Sequence, residues 1–182
     1  MFRALIYLGL GWVLAAAVPA LAAVFGLTVM LPSTSTILLV HLAFTGPRDS
    51  QGFGLTIAMA LGYLEDLHQG APSGTLTLSH AVMFVGLHHV SRRIALPGLV
   101  SRMVASAVAL VVLDAVTWGV LWGLAEAFEL HRGALNLAFA DVGWHALATA
   151  LATYPVWFAL DIASSWFGLR PLSTDPRLDR GR

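Results

Sequence analysis

Apolar residues fall into six long runs, at about 4–26, 28–45, 52–67, 75–90, 99–124 and 142–168, separated by short polar or turn-forming breaks. Runs of this length and continuity predict helices. The first, fifth and sixth are long enough for a hydrocarbon layer. The second to fourth are short, about 13 to 17 residues, and are expected in part to be half-buried in the bundle or to cross a thinned region. The break at residues 62–74 organises the rest. Glu65 and Asp66 close the third run, and Gly70, Pro72 and Gly74 then reverse the chain. Glycine accepts positive φ and proline fixes its own, so this spacing makes a tight turn. A turn with free backbone groups must lie at a membrane interface or inside protein, because lipid offers no hydrogen bonds. It therefore places one helix on each side and marks one membrane surface.

The other breaks are read in the same way. Pro32 suits the first turn of the second helix, with Ser33, Thr34 and Ser35 able to bond nearby backbone. Residues 45–49, Thr-Gly-Pro-Arg-Asp, end that helix. Gly54, Ala58 and Gly62 recur every fourth residue in the third run, a small-residue stripe that lets another helix approach closely. Ala115, Gly119 and Gly123 form a second stripe in the fifth run. A polar stretch covers 126–141, and a charged tail, expected to be disordered at its end, covers 170–182. The first run also has the look of a signal peptide, with Arg3 before it and Ala20-Leu21-Ala22 as a small-x-small site, but its apolar character continues to Met30.

Composition turns these runs into membrane spans. Of 182 residues 58% are hydrophobic and only 11% charged, with mean hydropathy +0.78. A soluble domain carries about a quarter charged residues. The expected fold class is an all-α integral membrane protein with six transmembrane helices and no separate soluble domain. No cysteine is present, which excludes disulfides and thiolate chemistry. All ten basic residues are arginine, and with a cytoplasmic N-terminus nine of them, all but Arg132, fall on the cytoplasmic side of six spans. That asymmetry sets an N-in/C-in orientation. Net charge is zero, and no basic footprint for nucleic acid is present.

Ionisable residues inside spans are costly and so are functional candidates. Asp114 lies in the middle of the fifth run, with His80 and His41 placed to approach it on the outer half; a pair fixing helix register is the main expectation. Asp161 and Arg102 lie near the cytoplasmic ends of their runs and are expected either to form an ion pair or to leave Asp161 facing water or a hydroxyl. Glu65 and Asp66 point about 100° apart on a helix and form no dyad. Asp66 is expected to accept backbone amides of the 70–74 turn, or Ser73 or Thr75, with partner contact as the second role. His88 and His89 also diverge, and with Arg92 and Arg93 they read as an interfacial belt touching anionic lipid. Trp118, Trp122, Trp144, Trp157 and Trp166 mostly lie near span ends, where aromatic anchors sit. No hydrolase, zinc-protease or nucleotide-binding motif occurs, and no cofactor or metal is expected.

Three features resemble MreD, the rod-shape-determining membrane family of bacteria. Residues 62–74 follow the family's Gly-x3-Asp-x3-Gly-x-Pro-x-Gly pattern, with Asp66, Gly70, Pro72 and Gly74 in register. Pro32 followed by Ile37-Leu38-Leu39-Val40 is similar to the family's second helix, although Ser33 stands where many members have an acid. Tyr154-Pro155-Val156-Trp157-Phe158 is similar to the last helix. The resemblance implies a non-enzymatic scaffold of the cell-elongation machinery, controlling cell shape and peptidoglycan synthesis. It would bind the single-span protein MreC and, with it, MreB, RodA and a class B penicillin-binding protein. It also implies a fold similar to the vitamin-capturing subunit of energy-coupling-factor transporters. The alternative is such a subunit itself, for which Ala16 and Ala20 supply an Ala-x3-Ala pair in the first helix.

Overall fold

The computed structural model describes residues 2–26, 31–46, 51–69, 72–124 and 141–166. These form six helices and no strands: α1 Phe2–Phe25, α2 Thr34–Thr45, α3 Gln51–Gln69, α4 Thr75–Ser91, α5 Leu99–Leu124 and α6 Val142–Trp166. The expected all-helical class is therefore observed. By length and composition, α5 and residues Val142–Ala163 of α6 are long and apolar enough to cross a membrane. The expected features at Gly70, Arg48, Arg132 and the 170–182 tail lie outside the described residues.

The second helix begins later than its apolar run. Pro32 precedes it rather than occupying its first turn, and Ser33 is the N-cap, its hydroxyl accepting the Thr36 amide. A cap at this position satisfies one of the helix's orphan donors and halts extension toward Thr28. At 12 residues α2 is about 18 Å long. Every residue from Thr34 to Ala43 is buried, and Ile37, Leu38, Leu39 and Val40 have no exposure at all. The helix is apolar all round because it is surrounded all round: it touches α1, α3, α4, α5 and α6.

Two hairpins, α3–α4 and α5–α6, close around this plug, with α4 also against α5 and α1 against α2 and α3. In α3 the small stripe is a true packing face, but its partner is α4 of the same chain. A Cβ on Gly62 would lie 2.6 Å from the Leu76 carbonyl oxygen and 2.7 Å from Thr77 Cα, so the two backbones touch there. A Cβ on Gly54 would run into the Phe84 ring, and Ala58 is fully buried. The stripe is thus consumed internally and is not a surface for a second protein. The α5 stripe differs from expectation: among the described residues Ala115, Gly119 and Gly123 are exposed, and a Cβ on either glycine would meet nothing within 4 Å.

Burial runs against the pattern of a water-soluble bundle. Thr36, Ser79, His80, Ser106, Thr149 and Thr153 are fully buried, while Val100, Val104, Val108, Leu147, Leu151 and Phe158 stand exposed along α5 and α6. Interior polar groups with an aliphatic exterior are what a hydrocarbon solvent selects, and a patch this large is unusual on a monomer in water.

Candidate functional site

Polar side chains gather at two levels of the bundle. The first is at the α3–α4 turn. Gly74 is the N-cap residue of α4, held at φ +93°, and has no side chain with which to cap. Asp66 supplies the cap from the preceding helix. Its Oδ2 accepts the amides of Gly74 (3.0 Å) and Thr77 (3.1 Å) and the Thr77 hydroxyl (2.8 Å), and its Oδ1 accepts the Leu76 amide (2.9 Å). A buried carboxylate at a helix N-terminus meets both the free amides and the positive end of the dipole. The expected role of Asp66 as acceptor for the turn is what the structure shows. The side chain that completes it is Thr77 rather than Ser73 or Thr75; Thr77 is the third residue of α4, and both its amide and its hydroxyl reach Asp66. Pro72 contributes its carbonyl, which accepts the Thr75 amide at 3.1 Å.

Glu65 faces away from the turn, as the angle between neighbours on a helix requires. It accepts the Ser35 hydroxyl of α2 and lies 3.4 Å from His80 Nε2 of α4. Ser35 belongs to the α2 cap, where the Ser33 hydroxyl bonds Ser35 (3.2 Å) and Thr36 (2.7 Å). The Ser33 amide donates to Thr149 Oγ1 of α6 at 2.9 Å. One connected cluster therefore joins α2, α3, α4 and α6. Asp114, half-buried on α5, is near enough to feel the charges of His145 on α6 and Glu65. The structure brings neither His41 nor His80 to Asp114. His80 is occupied by Glu65, and His41 lies at the other level.

That second level is at the opposite end of α2. His41 Nδ1 bonds the Tyr7 hydroxyl of α1 at 2.7 Å, and Nε2 lies 3.6 Å from Asp161 Oδ1 of α6. Thr45 Oγ1 sits 3.1 Å from Nδ1 and donates to the His41 carbonyl at 2.6 Å. The imidazole stands edge-on to Trp157 with centroids 5.3 Å apart, and the Arg102 guanidinium lies 4.4 Å over the same indole. The expected Arg102–Asp161 ion pair is replaced by two contacts. Asp161 lies against His41 and Arg102 stacks on Trp157, with the Arg102 charge still felt at the Asp161 carboxylate without direct contact. Trp157 is 4% exposed and is a core residue rather than an interfacial anchor. Trp122 and Trp144 are exposed, and Trp122 stacks on Trp118.

Hydroxyl, imidazole and carboxylate in series have the connectivity of a nucleophilic relay. Here the hydroxyl end, Tyr7, is buried between α1 and α2, so the series works as a tie between three helices. His88 is buried and stacks on Phe84, while His89 is exposed, which confirms their divergence. Among the described residues no three metal-ligating side chains converge. Tyr7, Thr77 and Thr149 were not legible as site residues from the sequence alone. Their only signals are a lone phenol in an aliphatic run and threonines spaced at 149 and 153.

No family model matches the chain, and neither does any curated protein or solved structure.

Proposed function

We propose that this protein is a non-enzymatic, six-span membrane scaffold of the bacterial cell-elongation machinery, of the MreD kind. In this reading all six helices lie in the cytoplasmic membrane with both termini inside, and the Asp66 turn faces outward. Its work is to hold a single-span, MreC-like partner and, through it, MreB, RodA and a class B penicillin-binding protein, so guiding peptidoglycan synthesis and cell shape. The observation that carries the reading is the filled core. The α2 plug, with Ile37, Leu38, Leu39 and Val40 at zero exposure, occupies the place where a small-molecule binder keeps its cavity. The Asp66 cap on the first turn of α4 supports it further, since a preorganised element docks at lower entropic cost. The Gly54-Ala58-Gly62 stripe is not part of the proposed interface, being packed on α4.

The second reading, a substrate subunit of an energy-coupling-factor-type transporter, is favoured by one feature: Ala16 and Ala20 are exposed on α1 and open to a coupling subunit. Co-purification in mild detergent, with identification of stoichiometric companions, separates the two. A single-span membrane protein is expected. Recovery of an ATPase pair with a coupling membrane subunit would overturn the scaffold and install the transporter.

A further inference from the structure

Helix α5 shows two opposite lines along its length. Ser106, Ala109, Leu110 and Leu113 are buried, at the spacing of a helix face turned toward its neighbours. The opposite line, Val100, Val104, Val108, Val111, Ala115 and Gly119, is exposed among the described residues, at steps of three or four. From Val100 to Gly119 it runs about 29 Å, close to the ~30 Å thickness of a hydrocarbon layer. Asp114 sits half-buried at the border of the two lines. It forms no hydrogen bond and no ion pair among the described residues, and His145 and Glu65 act on it only through their charge. Valine, alanine and glycine are at home against lipid tails. A carboxylate is not, because lipid tails offer it no donor.

Taking the scaffold reading as premise, we propose that the exposed line of α5 docks the membrane-spanning helix of the single-span partner, with Asp114 accepting a hydrogen bond from an amide, hydroxyl or guanidinium of that helix. A whole helix suits the surface, because the line continues for a full span and carries no side chain larger than valine. Steps of three and four keep such a line against a partner helix crossing at about 20°. The valines are stiff at χ1 and lose little freedom on docking. Ala115 and Gly119 let the partner's backbone come close near the level of Asp114. The carboxylate supplies the selectivity, since a span without a donor leaves it facing apolar atoms. A second copy fits less well: two copies in one orientation that meet through α5 set two carboxylates at the same depth, acceptor against acceptor. Neither α2 nor the α3 stripe competes for this role, as α2 is surrounded and the stripe is packed on α4.

The chain has no cysteine, so one introduced cysteine carries a photoreactive label at one chosen point. The test labels Val111→Cys and Gly119→Cys on α5, and Val82→Cys on α4 as an exposed control, in native membranes. Both α5 labels are expected to cross-link residues inside the span of one single-span protein, identified by mass spectrometry, and the α4 label is not. Asp114→Leu should lower that yield about three- to tenfold, while Asp114→Asn, which keeps an acceptor, should retain most of it. An undiminished yield in a folded Asp114→Leu overturns the role of the carboxylate. The cysteine variants keep Asp114, so the face itself is tested even where Asp114→Leu fails to fold. A single-span companion that co-purifies yet cross-links equally from α4, or not from α5, overturns the inference and leaves the scaffold standing. An α5 adduct of twice the chain's mass gives the face to a second copy and overturns it as well. Recovery of no single-span companion removes the scaffold and this surface together.

Discussion

The α3–α4 and α5–α6 hairpins carry the same small-residue spacing and use it in opposite ways. In α3, Gly62 lets backbone meet backbone, Gly54 seats the Phe84 ring, and Asp66 caps the helix that follows. In α5, Ala115, Gly119 and Gly123 are exposed, and among the described residues a Cβ on either glycine would meet nothing within 4 Å. A stripe is therefore a permission, not an instruction: it allows close approach but does not say which helix arrives. What distinguishes the two is polar pinning. The first hairpin has a buried carboxylate with four donors at its turn, fixing rotation so that the small face meets its neighbour. In the second, polar pinning begins deeper, at Thr149 and at the Arg102–Trp157 stack, and the stripe near the far end is left facing the surroundings.

The sharpest way to break this contrast is the same substitution in both stripes. Gly62→Leu is expected to cost on the order of 4 kcal/mol, since its side chain meets main chain that cannot move aside. Gly119→Leu should change stability by less than about 0.5 kcal/mol, as surface changes do. Unfolding in detergent titrated with a denaturing surfactant measures both, and equal losses would show that α5 packs on something. Next in size is Asp66→Ala, expected to cost about 3 kcal/mol by stranding the first-turn amides of α4. Asp66→Asn, which keeps one acceptor, should cost less, and hydrogen exchange at Leu76 and Thr77 should rise in both. At the other level, Tyr7→Phe removes one buried hydrogen bond without opening a cavity and should cost about 1 kcal/mol. The smallest effect is a coupling. A double-mutant cycle on Arg102 and Asp161 is expected to give less than about 0.5 kcal/mol, because the two make no direct contact and the exposed Asp161 carboxylate is screened by solvent. A large coupling would restore the direct ion pair.

Much of the helical framework is legible in the sequence. Long continuous runs of apolar residues announce helices because intrahelical bonding satisfies the backbone within one segment, whereas a barrel strand is shorter and alternates. The 62–74 break was legible as a turn because glycine and proline act locally. Asp66 was readable as its acceptor, since an acid four residues before the Gly70-x-Pro72-x-Gly74 turn is within reach of its free amides. Its hydroxyl partner was not: choosing Thr77 over Ser73 or Thr75 depends on where α4 begins. The late start of α2 was equally hidden, because Ser33 competes with two neighbouring hydroxyls for the cap, and packing decides.

Local chemistry, then, determined the class, the turn and the divergence of Glu65 from Asp66, all of which follow from spacing along one helix. Only the tertiary structure decided that α2 is the plug, that His41 belongs to Tyr7 and Asp161 while His80 belongs to Glu65, and that Arg102 lies on Trp157. Side chains such as these can reach several neighbours from any one helix. Which they take depends on the relative rotation and depth of helices far apart in sequence, and those are set by close packing across the whole bundle.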